Sequence, residues 1–118
     1  MAKDLEIVRL MDIYGGMLTE KQLDYLNLYY EEDLSLSEIA ANEGITRQGV
    51  RDAIKRAATQ LAEYEQHMRL LAKQEERERA LQKILDSVSK INSLGYSGEI
   101  KNASAKIERI ARSLLLTA

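Results

Sequence analysis

Six residues within an eleven-residue window carry the chemistry that this sequence offers: Thr46, Arg47, Gln48, Arg51, Lys55 and Arg56. Arginine reads guanine edges bidentately, and glutamine reads adenine in the same way. Lys55 and Arg56 suit phosphate contacts, which position a protein on a duplex without reading its sequence. Thr46 is a good helix N-cap, and the amides behind a cap attract a phosphate. The window 46–56 holds four basic and one acidic side chains, a net of +3. Residues 1–45 hold three basic and ten acidic, a net of −7, and residues 57–118 hold ten and eight, a net of +2. Positive charge is therefore focused where base and phosphate readers cluster. The bland alternative is a solvated helix face. Phosphate neutralisation supplies most non-specific affinity. A chain of net charge −2 and pI ≈ 5.5 is then expected to bind nucleic acid weakly as a monomer and to gain by dimerising. The acidic first half suits a basic protein equally well.

Other chemistries find little support. There is no cysteine, which excludes disulfides, thiol catalysis and a zinc ribbon. The single histidine, His67, has Glu63 and Leu71 four residues away, one carboxylate at most, so it reads as a surface or interface side chain. Glu31-Glu32-Asp33 lacks calcium-loop spacing and reads as a solvated turn. Tyr29-Tyr30 invites base stacking, but its position in an apolar pattern favours the core. No glycine-rich phosphate loop is present. The expectation is a non-enzymatic protein with no catalytic residue, no metal and no cofactor. No apolar run is long enough to cross a bilayer, and no apolar segment follows Met1-Ala2-Lys3, so a cytoplasmic protein off the membrane is expected.

The elements that hold the six residues are helices. Proline, tryptophan and phenylalanine are absent, there are six glycines, and strong helix formers dominate the 118 residues. The fold class is all-α. Asp4 to Tyr14 reads as a first helix stopped by Gly15-Gly16. Thr19 and Gln22 make a capping box for a second, with Leu23, Leu26 and Tyr30 on one face. Acids at Glu31-Glu32-Asp33 oppose its continuation. Ser35 and Glu38 cap a short third helix that carries Ile39 and Ala40 and ends at Gly44. Leu36 to Arg56 then has a helix-turn-helix pattern: small Ala40 for a close crossing, Gly44 for a left-handed turn, and Ile45 with Val50 plugging the angle. The second helix presents its early residues to the major groove.

Val50, Ile54, Ala57, Leu61, Tyr64, Met68 and Leu71 form one helical seam. Ala72 to Arg79 is polar all round. Two readings stay open: one helix from Thr46 to Ser93, about 70 Å long, or a bend near Lys73–Arg79. Leu81, Leu85, Val88 and Ile91 then pair with Ile100, Ala103, Ile107, Ile110 and Leu114 in an antiparallel hairpin across Gly95–Gly98. Two helices bury little surface alone. Packing of paired hairpins in a homodimer is preferred over folding back on the first half. The expected organisation is residues 1–66 as the helix-turn-helix domain and 67–118 as a helical extension for dimerisation.

Leu18-Thr19-Glu20-Lys21-Gln22, Leu28-Tyr29-Tyr30, Asp33-Leu34-Ser35-Leu36, Glu38-Ile39-Ala40, Arg47-Gln48, Val50, Asp52 and Ile54-Lys55-Arg56 occur in order over residues 5–65. This combination resembles the YlxM family of bacterial helix-turn-helix proteins, whose motif is in turn similar to region 4 of sigma factors. The resemblance implies a Gram-positive cytoplasmic protein encoded beside the signal recognition particle GTPase. It further implies a regulatory or accessory role in that pathway, and a nucleic-acid face at Arg47, Gln48, Lys55 and Arg56. Two functions are expected on these grounds: a DNA-binding regulator and, as the alternative, an accessory that docks signal recognition particle protein or RNA. Gly49 departs from a good helix former and weakens its turn by about 1 kcal/mol unless a backbone must approach there. After Glu65 no motif matches, so the hairpin rests on physical argument.

Overall fold

A computed structural model describes residues 5–117, and the described residues are helical with no strand. The first helix, α1, spans Leu5–Tyr14 and buries Leu10, Met11 and Tyr14; its expected start at Asp4 lies outside the described residues. A 3-10 turn over Gly15–Met17 leads to α2, Glu20–Leu26. Its capping box forms as the sequence indicates. The Thr19 hydroxyl accepts from the Gln22 amide at 3.2 Å, and Gln22 Oε1 accepts from the Thr19 amide at 3.1 Å.

α2 does not simply stop. It runs into a π-type turn over Asn27–Glu31, where the Glu32 amide reaches back five residues to the Asn27 carbonyl at 2.9 Å. That wider turn carries Tyr29 and Tyr30, which are half-buried against the core with their rings edge to face at 5.0 Å. Leu23, Leu26 and Tyr30 pack on the same core, as their spacing suggests. Asp33 takes a left-handed φ of 57° and ends the segment.

α3, Leu36–Glu43, opens with the second capping box, between Ser35 and Glu38. It closes at Gly44, whose φ of 68° is left-handed. The Gly44 and Ile45 amides both donate to the Ala40 carbonyl, which satisfies the end of the helix. α4, Arg47–Met68, then buries Val50, Ile54, Ala57 and Leu61. Those residues close over Tyr14, Leu26 and Ile39 in one core. Ile45 corrects the expectation. It is 42% exposed, so Val50 alone fills the angle between α3 and α4.

The helix is broken earlier than the sequence suggests, although Tyr64, Met68 and Leu71 stay on the same core. Arg69 adopts a left-handed φ of 54°, and α5, Leu70–Ser93, starts immediately after it. The polar residues 73–79, where a bend is expected, are helical. The physical reason is a set of caps from far along the chain. The buried Tyr14 hydroxyl donates to Glu65 Oε1 at 2.7 Å and accepts from the Leu70 amide at 3.0 Å. The same Glu65 oxygen accepts from the Leu71 amide at 2.9 Å. Two orphan donors at the start of α5 are satisfied in this way. Burial, and then the hydrogen bond to Glu65, pushes the Tyr14 hydroxyl above the ordinary tyrosine pKa.

One compact unit ends at Leu71 and a second begins at Ala72. The second is the α5–α6 hairpin, with α6 spanning Glu99–Thr117. Leu81, Leu85 and Val88 are buried on α5. On α6 the buried residues are Ser104 and Ala111, with Leu115 packed beside them. The Ser104 hydroxyl donates to Asn92 Oδ1 at 2.7 Å and pins the register. The hairpin seam also differs from expectation. Ile100, Ala103, Ile107, Ile110 and Leu114 do not form it and are exposed. The small Ser104 and Ala111 let α5 approach, and the branched residues are left as a separate apolar stripe.

Candidate nucleic-acid interface

Thr46 caps α4 with its hydroxyl accepting from the Gly49 amide at 3.0 Å. A Cβ at Gly49 would lie 3.1 Å from the Thr46 hydroxyl oxygen and 3.7 Å from Ile45 Cδ1, a close contact that a small shift of the threonine relieves.

The body of α4 is held from two sides. Its buried stripe faces the core, and Gln60 Oε1 accepts from Gln22 Nε2 at 2.6 Å, so a residue of the α2 capping box also positions α4. A helix turns about 100° per residue. Arg47, Gln48, Arg51 and Lys55 therefore fall within an arc of about 100° that starts beside buried Ile54 and runs round the helix away from Ala57. All four are exposed. Arg56 is exposed too, but it is turned by about 100° from Lys55 and sits on the edge of that face. The structure thus brings four of the expected readers together and places the fifth at the flank.

Gln48 is engaged already. Its Nε2 donates to Asp52 Oδ1 at 3.0 Å. Reading a base with Gln48 requires that bond to open, and it places one carboxylate among the cations. Among the described residues, Arg47, Arg51, Lys55 and Arg56 make no ion pair. They stand in contrast to Lys21, which pairs with Glu43 at 3.7 Å, and to Arg79 and Arg112, which pair along their own helices.

His67 is exposed, and no group of three or more acidic, histidine or cysteine side chains is placed to hold a metal among the described residues. No described helix is long and apolar enough to cross a membrane. Sequence reasoning missed the Tyr14–Glu65 caps, because the partners are 51 residues apart and only their burial in one place reveals them.

The comparisons with known proteins agree with this geometry. A family model described as "Putative helix-turn-helix protein, YlxM / p13 like" matches residues 1–101. A UPF0122 protein of Halalkalibacterium halodurans is 47% identical over 88 residues, 75% of this chain and 81% of that protein. One from Clostridium perfringens is 40% identical over 110 residues, covering 93% and 97%. One from Bacillus cereus is 41% identical over 101 residues, covering 86% and 90%. With α3, the Gly44 turn and α4 in the arrangement that the motif requires, the chain belongs to the UPF0122 family of YlxM/p13-like helix-turn-helix proteins.

Proposed function

We propose that this protein is a non-enzymatic, cytoplasmic DNA-binding regulator that reads duplex DNA with the N-terminal half of α4. One observation carries the reading: Arg47, Arg51 and Lys55 share an exposed face of the second helix of a helix-turn-helix, with no carboxylate neutralising them among the described residues. Thr46 marks the helix end that faces a phosphate. Arg47, Gln48 and Arg51 face base edges. Lys55 and Arg56 hold backbone phosphates on either side.

The test is fluorescence anisotropy with labelled duplex DNA from the protein's own promoter region, over a range of salt. Binding should weaken steeply as salt rises. Arg47→Ala combined with Arg51→Ala should weaken it by more than about tenfold, and Lys55→Ala combined with Arg56→Ala should reduce the salt slope by about two phosphate equivalents. Salt-insensitive binding, or a double variant that binds as well as the parent, refutes the reading. The chain's acidic first half suits a basic protein, which supports the protein-docking form of a second reading, an accessory of the signal recognition particle that docks its protein or, through the basic face of α4, its RNA. Labelled signal recognition particle RNA in the same titration distinguishes them, because binding to RNA with none to DNA supports the accessory.

We infer further that the partner for the hairpin is a second copy of this chain. Ile107 and Ile110 are 45% and 50% exposed, beside Ile84 and Leu114. These four residues, with Leu81 and Ala111, surround a hollow of about 170 Å³ whose lining is almost wholly apolar. A contiguous apolar face on a two-helix unit marks an interaction surface. Two such hairpins related by a two-fold axis complete a four-helix bundle, and the dimer carries two copies of α4.

A further inference from the structure

A groove of about 550 Å³ runs along α4 beside the nucleic-acid face, and the reading of that face does not account for it. One wall is Tyr29 and Tyr30, from the π-type turn, together with Leu36 from α3. The other wall is α4 itself from Arg51 to Ala62, about 16 Å of helix axis. Its floor is apolar at Ile54. Ala58 and Ala62, one turn apart, leave a shallow track where another backbone can come close. Arg51 and Lys55 stand at one end, exposed and without ion pairs among the described residues. π-type turns are rare and cluster at functional sites, and this one sets the width of the groove.

We propose that this groove docks an amphipathic helix of a partner protein, whose apolar stripe lies on Ala58 and Ala62 and whose acidic residues meet Arg51 and Lys55. Three features select this occupant. The length matches about three turns of helix. The small Ala58 and Ala62, facing the wall of Tyr29, Tyr30 and Leu36, fit an i, i+4, i+7 stripe. The charge at the α4 end, from Arg51 and Lys55, favours acids there, and the remaining lining carries no charged side chain. The inference stands apart from the DNA reading but shares Arg51 and Lys55 with it. A docked helix and a duplex therefore exclude one another, so that partner binding releases nucleic acid.

The probe is a labelled synthetic helix of about 15 residues with a leucine stripe flanked by glutamates, and a second in which lysines replace the glutamates. The full-length protein is titrated with each by anisotropy, and amide shifts are mapped by NMR. The acidic helix should bind more than about tenfold tighter than the basic one, with shifts at Tyr29, Tyr30, Ala58 and Ala62. Ala62→Trp, and separately Thr59→Trp, should abolish its binding and leave duplex anisotropy unchanged. Duplex DNA should displace it from the parent protein. Failure of the acidic helix to bind, equal binding of both helices, or shifts confined to α5 and α6 would overturn the proposal. So would a single-stranded oligonucleotide that moves the groove resonances when the acidic helix does not. Loss of duplex binding with peptide binding intact would instead refute the DNA reading alone.

Discussion

Tyr14 shows how one hydroxyl can decide the course of a chain. It is almost wholly buried, donates to Glu65, and accepts from the amide that opens α5. Replacing it by phenylalanine keeps the ring and removes the part-buried hydrogen bonds to Glu65 Oε1 and from the Leu70 amide. Tyr14→Phe should cost about 1–3 kcal/mol in urea unfolding, with the loss relieved if Glu65→Gln relaxes the carboxylate. The pH dependence follows from the raised pKa. The folded state favours the protonated phenol, so the contribution is complete below the unfolded tyrosine value of about 10. It is lost as pH rises through the higher folded value. Stability of the parent relative to Tyr14→Phe should therefore be constant from neutral pH to about pH 9 and shrink above about pH 10. An unchanged difference at high pH would show that the hydroxyl is not the group responsible.

At the scale of elements, the helix-turn-helix depends on how α3 ends. Gly44 has a left-handed backbone and no heavy atom within 4 Å of where a Cβ would stand, so its role is conformational rather than steric. Gly44→Ala should destabilise the fold by about 1 kcal/mol, seen as a fall of about 5 °C in melting temperature. Gly44→Asn should cost less, because asparagine tolerates this region better. A Gly44→Ala variant that melts with the parent would mean that the turn is free to adopt another form. The same logic separates the two stripes of α6. Ser104 and Ala111 are buried because they are small, and the larger Ile107 and Ile110 remain outside.

For the whole molecule, the exposed isoleucine stripe makes the oligomeric state the decisive property. Light scattering of the parent should give twice the 13.4 kDa chain mass. Ile107→Asp combined with Ile110→Asp should give monomer while retaining helical circular dichroism, because neither residue belongs to the hairpin core. Leu85→Asp is the poorer probe. Leu85 is buried within the hairpin, and its loss would unfold the unit rather than separate a pair of copies. The monomeric variant should also bind duplex DNA more weakly, since one α4 would then meet one half-site. A parent that scatters as a monomer rules out the paired-hairpin arrangement.

Much of this protein is local and was therefore legible in its residues. Thr19, Ser35 and Thr46 are hydroxyl caps, and each cap bonds to an amide three residues on. Gly44 ends α3 as its position implies, and Val50, Ile54, Ala57 and Leu61 are buried at helical spacing. The exposed face with Arg47, Gln48, Arg51 and Lys55 follows from that burial, because a buried stripe fixes which flank of the helix is left open. What the tertiary structure alone decided are contacts between distant segments. The break at Arg69 needs Tyr14 to arrive beside Glu65. The outward stripe at Ile107 and Ile110 needs Asn92 to meet Ser104. The groove beside α4 needs a π-type turn whose extra residue leaves no mark in helical periodicity. Caps and apolar stripes are set within a turn or two of chain, whereas helix breaks, register and grooves depend on which remote side chains reach the same place.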